Sequence, residues 1–309
     1  MKLEEALDRY SVRVSTDDGF QRRARILQAL WREDRGLPIG IRGSGMPLGS
    51  RLPLPFAKDT LSNFLTDNIK RAVRSEMASV RQGSGQLVEE ERLYANLLSS
   101  QPLCFNLFGE LQADLSLATS VFRELWPERM VAVTAIRFEH SPGRGDLTYT
   151  GDHSAFDVFV EHTVPSGGVG FLGFEVKYHE SLKVKAATFK PRYAEVATTM
   201  GCFKSEALSS LRAAPLEQIW RDHLLTGAML AANAWKSGLY IFMYPAANPR
   251  CVQAVSAYRQ CLSETSTFDD LTLERFVDIL KRHTSDGWVS ELHGRYLAWD
   301  KVDVLSSNH

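Results

Sequence analysis

Two short segments, AFDVFVEH (155–162) and VGFLGFEVKY (169–178), decide the fold that we predict for this chain. Both are rich in β-branched and aromatic residues, and PSGG (165–168) between them has the composition of a turn. The pattern predicts a β-hairpin with a short loop. Because so much apolar bulk is unusual on an exposed edge, we expect the second strand to lie inside a sheet.

Three charged side chains interrupt this apolar hairpin. Asp157 lies on the first strand, and Glu175 and Lys177 lie two apart on the second, where they share one face. Burying such charges is costly unless they meet partners or a metal ion. Two carboxylates and an ammonium group would suit Mg²⁺ and its bound waters, with Lys177 orienting one water. The alternative interpretation is a surface ion pair between Glu175 and Lys177.

Helices and further strands are predicted on both sides of the hairpin. Before the hairpin, the expected elements are helices over 17–35, 61–80, 87–101 and 103–125, a Gly- and Pro-rich loop at 36–56, and a strand over 131–139. After the hairpin, they are helical segments over 183–212 and 216–235, a strand over 238–244, and helices over 269–283 and 286–298. This order predicts an α/β fold, a mixed central sheet flanked by helices, with helical extensions at both ends.

The composition excludes several classes of protein. The 309 residues carry 36 basic and 37 acidic side chains, so the chain is not a uniformly basic nucleic-acid coat. No apolar run reaches the ~20 residues that cross a bilayer, and the charged N-terminal segment has no apolar signal region. The four cysteines form no CxxC pair. We therefore expect a cytoplasmic protein with free thiols and no membrane association.

Basic residues are concentrated in two segments, either of which could follow a phosphate backbone. The first segment, 21–51, is rich in arginine: Arg22, Arg23, Arg25, Arg32, Arg35, Arg42 and Arg51. The second begins at the end of the hairpin and contains Lys177, Lys183, Lys185, Lys190 and Arg192. A solvated helix face is the simpler interpretation for any single arginine. The position of the second segment, directly after the charged hairpin, favours nucleic-acid contact there.

Several familiar catalytic motifs are absent from the sequence. There is no GxxxxGK[ST], so the Gly-rich stretch at 40–49 is not a nucleotide-binding loop. There is no GxSxG elbow of the kind that carries a nucleophilic serine. The eight histidines lack HExxH spacing, which argues against a zinc hydrolase.

The arrangement of Asp157 and Glu175-Val176-Lys177, within the order helix, three strands, helix, strand, resembles the PD-(D/E)XK nuclease superfamily, whose fold is restriction-endonuclease-like. Three further runs resemble a bacterial group classed as restriction endonucleases: NLLSSQPLCFNLFG (96–109), FEVKYHESL (174–182) and QIWRDHLL (218–225). One departure from the superfamily pattern is Phe156, which stands where many members have proline.

This resemblance implies a set of site residues. Asp157 and Glu175 would be metal ligands, the carbonyl of Val176 a third, and Lys177 the catalytic lysine. The superfamily often adds a glutamate from the first core helix, for which Glu91 is favoured and Glu110 is the alternative.

A helix that follows the hairpin offers two more candidates. Gln218 and Arg221 lie at positions i and i+3, so they share a helix face. If this helix packs beside the sheet, Gln218 could help place the water or the scissile phosphate, and Arg221 could bind a phosphate. The alternative is an ordinary polar patch at the start of a helix. Glu180, just past the second strand, is most simply explained by a solvated salt bridge to Lys183.

We therefore predict an endonuclease that hydrolyses phosphodiester bonds in DNA with Mg²⁺ or Mn²⁺, in restriction, defence or repair, and that could act as a homodimer. The expected organisation is an N-terminal helical extension (1–86), a nuclease core (87–245) and a C-terminal helical segment packed on that core (246–309). Two alternatives remain open: an inactive DNA-binding or structural module of the same fold, and a metal-dependent hydrolase of small phosphoesters.

Overall fold

A computed structural model describes residues 3–43, 45–81, 88–180, 182, 188–232 and 234–307. The elements before the hairpin are α1 (Leu3–Arg9), α2 (Gly19–Asp34), β1 (Gly40–Ile41), β2 (Pro47–Leu48), α3 (Leu54–Thr60), α4 (Asp67–Arg81), a π-helical turn (Glu91–Ala95), α5 (Ser100–Ala113), α6 (Leu115–Leu125) and β3 (Ala132–His140). The hairpin and the elements after it are β4 (Phe156–Thr163), β5 (Val169–Val176), α7 (Pro191–Met200), two 3₁₀ turns (Ser205–Ala207 and Ser210–Arg212), α8 (Glu217–Ala231), β6 (Ser237–Tyr244), α9 (Pro249–Gln260), β7 (Phe268–Thr272), α10 (Leu273–His283), α11 (Gly287–Tyr296) and α12 (Trp299–Ser307).

The central sheet has five strands in the order β3-β4-β5-β6-β7. The β4–β5 hairpin is antiparallel, with Val158 opposite Phe174, and the prediction made from the sequence is confirmed. Strand β5 then pairs in parallel with β6, and β6 with β7. The end of β3, the start of β4 and the end of β5 therefore lie together at one end of the sheet. This mixed sheet flanked by helices agrees with the predicted fold class.

The two faces of the sheet pack against two different groups of helices. Side chains that alternate along β5 divide between two hydrophobic clusters, with Phe174 and Val176 in one and Phe171 in the other. The first cluster joins the sheet to α4, α5, α6, α10 and α11, and the second joins it to α7, α8 and α9. Gly173 lies on the second face, where an added Cβ would come within 2.5 Å of the Phe156 ring. This alternation directs Glu175 and Lys177 toward α8.

The arginines of segment 21–51 mainly hold the N-terminal part of the chain to the rest of the protein. Four make side-chain ion pairs with residues outside the segment or at the surface: Arg22 with Glu4, Arg23 with Asp303, Arg25 with Asp17, and Arg35 with Glu291. Arg32 is buried and donates to the carbonyls of Gly49 and Leu37 at 2.9 and 2.7 Å. These five guanidinium groups thus contact protein acceptors, and phosphate contact by this segment stays a prediction.

Three differences from the predicted elements are found near the C-terminal end, one of which is α12, a helix that the pattern does not predict. Residues 268–272 form β7, whereas the sequence predicts a helix that begins at 269. Its short polar sequence, FDDLT, has no clear alternation, so pairing with the apolar β6 decides its conformation. Residues 249–260 form α9, which the pattern does not predict. The boundaries at 86 and 245 stay predictions, although β7 lies beyond the second of them.

No helix in the described ranges is both long enough and apolar enough to cross a membrane.

Candidate metal and phosphodiester site

A polar pocket of about 240 Å³ opens at the end of the sheet where β4 begins and β5 ends. Strands β3, β4 and β5, helices α5 and α8, and the loop between β3 and β4 all contribute to its wall. It brings together five residues that the sequence singles out: Asp157, Glu175, Lys177, Gln218 and Arg221. The antiparallel β4–β5 pairing explains this, because it places the start of one strand beside the end of the other.

Hydrogen bonds fix the orientation of the central side chains. Glu175 Oε1 lies 2.6 Å from Lys177 Nζ and accepts a hydrogen bond of 2.6 Å from Gln218 Nε2. Asp157 Oδ2 accepts a hydrogen bond of 2.8 Å from the backbone N–H of Val176. The Lys177 N–H donates to the Met243 carbonyl at 2.8 Å, so pairing with β6 continues past the end of β5. One oxygen of each carboxylate is thus held in place by the protein.

Burial and mutual repulsion perturb the titration of these groups. Burial raises the pKa of Asp157 well above its usual value, and the nearby carboxylates of Glu175 and Glu139 raise it further. Burial alone would lower the pKa of Lys177, but the carboxylates of Glu175, Glu180 and Asp157 outweigh burial and raise it. Lys177 is therefore an ammonium group at neutral pH. A divalent cation would relieve the repulsion between the carboxylates.

Glu139 is a pocket residue that the sequence reasoning missed. It lies near the end of β3, between the pairs Phe138–Val158 and His140–Phe156, so it approaches Asp157 across the strands. Its backbone has a positive φ of 48°, a conformation that side chains rarely adopt. Burial, followed by the charge of Glu175, raises its pKa to about 7. The signal that could have found it is its position at the end of the predicted strand over 131–139.

The structure does not bring Glu91 or Glu110 to the pocket, which corrects the prediction of a helical glutamate. Glu91 is exposed in the π-helical turn and pairs with Arg51 at 2.5 Å. Glu110 accepts hydrogen bonds from Thr66 and, at 2.7 Å, from Asn68. Helix α5 starts at the pocket and runs away from it, so a residue ten positions after Ser100 lies roughly 15 Å farther along the axis.

The start of α5 is capped by residues near the pocket. Ser99 Oγ accepts a hydrogen bond from the Gln101 N–H, and Glu180 Oε1 accepts one of 3.2 Å from the Ser100 N–H. The other Glu180 oxygen accepts a bond of 2.8 Å from the Tyr178 N–H. Glu180 thus caps the helix, where a carboxylate meets the positive end of the helix, and its predicted salt bridge to Lys183 stays a prediction. Lys183 itself lies outside the described residues.

Arg221 is held at the rim of the pocket by two carboxylates. Its Nε lies 3.2 Å from Asp152 Oδ2, and its Nη1 lies 3.4 Å from Glu217 Oε1. Arg92 and Arg144 also line the pocket, and neither was singled out from the sequence. Three guanidinium groups therefore surround the carboxylates. This arrangement can attract an anionic substrate to a site that also attracts cations.

The structure describes only part of the basic segment that was predicted to bind DNA. Lys190 donates a hydrogen bond to the Gly151 carbonyl, and Arg192 Nε donates to the Tyr149 carbonyl at 2.9 Å. These contacts hold the loop between β3 and β4, which carries Arg144. Lys183 and Lys185 lie outside the described residues, so their role stays a prediction.

The oxygen donors of the pocket fit a hard divalent cation. Asp157 and Glu175 supply carboxylates from neighbouring strands, and Glu139 supplies another from β3. Mg²⁺ is commonly bound by one or two carboxylates together with waters and phosphate oxygens. In the described part of the chain, no three His, Cys, Asp or Glu side chains converge closely enough to hold a metal ion by themselves. A cation here would thus need waters or substrate oxygens to complete its coordination.

A mixed sheet that presents two carboxylates and a lysine at one end, beside a helix that carries a glutamine, defines a restriction-endonuclease-like protein. The sequence profile of the PD-(D/E)XK nuclease superfamily matches residues 15–298. The chain therefore belongs to this superfamily, whose members typically use a divalent metal ion. No curated protein and no solved structure matches the chain significantly.

Proposed function

We propose that this protein is a DNA endonuclease that requires Mg²⁺ or Mn²⁺. The observation that carries the proposal is the pocket in which Asp157, Glu175 and Lys177 meet at the end of the sheet. Membership of a nuclease superfamily supports phosphodiester hydrolysis as the reaction. DNA as the substrate, and internal rather than terminal cleavage, are inferences from the predicted relationship to restriction endonucleases.

The carboxylates and the lysine have separate roles in the proposed reaction. Asp157 and Glu175 would hold the cation, with the carbonyl of Val176 as a further ligand. Held there, the cation would supply a water of lowered pKa and would stabilise negative charge on the phosphate. Lys177, fixed against Glu175 at 2.6 Å, donates hydrogen bonds to the attacking water or to the developing charge on the phosphorus oxygens. Gln218 keeps Glu175 in position by its hydrogen bond.

The arginines around the pocket are suited to the substrate backbone. Arg221 is oriented by Asp152 and Glu217 and presents a guanidinium group near Lys177. Arg92 and Arg144 line the same opening. We propose that these residues contact phosphate oxygens, because the planar guanidinium group matches two oxygens at once.

A cleavage panel tests this function. Purified protein is incubated with circular duplex, linear duplex and single-stranded DNA, with RNA, and with a chromogenic phosphodiester, each with Mn²⁺ or with a chelator. We expect metal-dependent cleavage of circular duplex DNA, and we expect Lys177→Ala to reduce the rate by at least about 100-fold. Lys58→Ala is the matched control, since Lys58 pairs with Glu90 at the surface.

The same panel separates the alternatives. Binding of duplex DNA without cleavage would indicate an inactive module of this fold. Hydrolysis of the chromogenic ester alone would indicate a hydrolase of small phosphoesters.

We also propose a cytoplasmic location and an assembly that pairs two chains to cut both strands. The four cysteine side chains are buried, which suits a compartment where thiols remain reduced. Size-exclusion chromatography with light scattering, with and without a DNA duplex, tests the pairing. A role in restriction, defence or repair remains a proposal that rests on the predicted relationship to restriction endonucleases.

A further inference from the structure

Asp222 is a buried carboxylate in the pocket that the sequence reasoning did not include. It lies on α8 one turn after Gln218, so both side chains occupy the same side of the helix. Its exposure is 4%, and it lines the same pocket as Glu175 and Lys177. Its Oδ2 is buried and makes no hydrogen bond within the described residues. An ionised carboxylate in this situation is strongly unfavourable unless a cation or a hydrogen-bond donor meets it.

The cationic side chains around Asp222 are held by other carboxylates. Lys177 Nζ lies 2.6 Å from Glu175, and Arg221 lies 3.2 Å from Asp152 and 3.4 Å from Glu217. Asp222 therefore adds negative charge beside Glu175 that these closest protein cations do not neutralise. The α8 side of the pocket therefore carries uncompensated negative charge, in addition to that of Asp157 on β4.

We propose that Asp222 and Glu175 form a second divalent-cation position, on the α8 side of the pocket. Two carboxylates are enough for Mg²⁺ or Mn²⁺ when waters and a phosphate oxygen complete the coordination. Arg221, next to Asp222 in the chain, is placed to hold that phosphate. The first position would be held by Asp157 and Glu175, so Glu175 would serve both. This inference rests on the proposed function, because it assumes that the pocket takes divalent cations.

A structural role for Asp222 is the competing explanation. Other polar atoms near Asp222 are also buried without a hydrogen bond in the described part of the chain, among them Tyr240 Oη and Thr226 Oγ1. Thr226 lies one turn after Asp222 on α8, and the Asp222 charge acts on Tyr240. If Asp222 served mainly to satisfy these hydroxyl groups, removing the Tyr240 hydroxyl would have the same effect as removing the Asp222 charge. Tyr240→Phe is therefore the matched control for Asp222→Asn.

The test is a calorimetric titration of the full chain with Mn²⁺ in the absence of DNA. We expect two Mn²⁺ per chain for the wild type and for Tyr240→Phe, and one for Asp222→Asn. The second measurement is the melting temperature with and without Mn²⁺. Without metal, Asp222→Asn should melt no lower than the wild type, because a buried charge that faces Glu175 is removed. The rise in melting temperature produced by Mn²⁺ should be smaller in this variant.

Each other result overturns the inference. Equal Mn²⁺ stoichiometry in the wild type and in Asp222→Asn would show that Asp222 holds no cation. If both proteins bound one Mn²⁺ per chain, the proposed function would still stand. No binding by the wild type would contradict the proposed function as well. If Asp222→Asn fails to fold, Asp222→Ser takes its place. Failure of both variants to fold would give Asp222 a structural role and refute the cation position.

Discussion

Replacing Lys177 by methionine removes the cation that contacts Glu175 in the pocket. The two side chains are only 11% and 6% exposed, and the charged atoms are 2.6 Å apart. At an effective dielectric constant of about 20, Coulomb's law gives roughly 6 kcal/mol of attraction at that distance. Relaxation and solvation of the remaining charge reduce the net loss, and breaking a buried pair typically costs about 3–5 kcal/mol. We therefore predict that Lys177→Met lowers the free energy of unfolding by about 3–5 kcal/mol without metal.

Urea denaturation at pH 7 in the presence of a chelator measures this loss. The double variant Glu175→Gln/Lys177→Met should recover most of the lost stability, because the neutral amide can keep its bond to Gln218 and needs no cation. Saturating Mn²⁺ should narrow the difference between Lys177→Met and the wild type, since the metal compensates the charge of Glu175. A free energy of unfolding of Lys177→Met within about 0.5 kcal/mol of the wild-type value would contradict a stabilising contact between Lys177 and Glu175.

Three further predictions follow from the same contacts and from the core. Asp157→Asn should weaken Mn²⁺ binding in a calorimetric titration, and unchanged affinity would contradict the role of Asp157 as a ligand. Without metal, the variant should be more stable to unfolding than the wild type, because it removes a buried charge that Glu175 repels. Arg221→Ala should weaken binding to DNA duplexes of unrelated sequence equally and reduce the salt dependence by about one ion, as measured by anisotropy in a salt series; loss confined to one sequence would indicate base contact instead. Burial lowers the pKa of His223 to about 3, so the neutral ring is favoured in the folded state and stability should fall as the pH drops below about 6.5, by up to about 1.4 kcal/mol per pH unit. His223→Asn should show a shallower pH dependence in urea denaturation, and an identical slope would assign the acid sensitivity to other groups.

The hairpin and its three charged residues could be predicted because a strand has a strict period of two residues. Asp157, Glu175 and Lys177 stand out as charges in apolar strands, and the turn at 165–168 determines which strand ends meet. The mixed sheet then follows from the order of helices and strands. These features are local in sequence, and so they are visible without the tertiary structure.

Other parts of the site depend on contacts that no local pattern contains. Glu139 reaches the pocket through the β3–β4 register and a positive φ angle, neither of which its neighbours in the sequence indicate. Asp222 faces the pocket only because α8 packs on the sheet in one particular rotation. Arg23 looked available for phosphate, yet it pairs with Asp303, 280 residues away in the chain. Long-range packing therefore decides which charged residues serve the site and which serve the fold.

Crystals soaked in Mn²⁺ would locate the metal in this pocket by its anomalous scattering. We expect an anomalous peak in the pocket where β4 begins and β5 ends, bonded to carboxylate oxygens of both Asp157 and Glu175. The peak between Asp157 and Glu175 should disappear in crystals of Asp157→Asn under the same conditions. Carboxylates that point into separate regions, with no metal between them at saturating Mn²⁺, would contradict metal binding by Asp157 and Glu175.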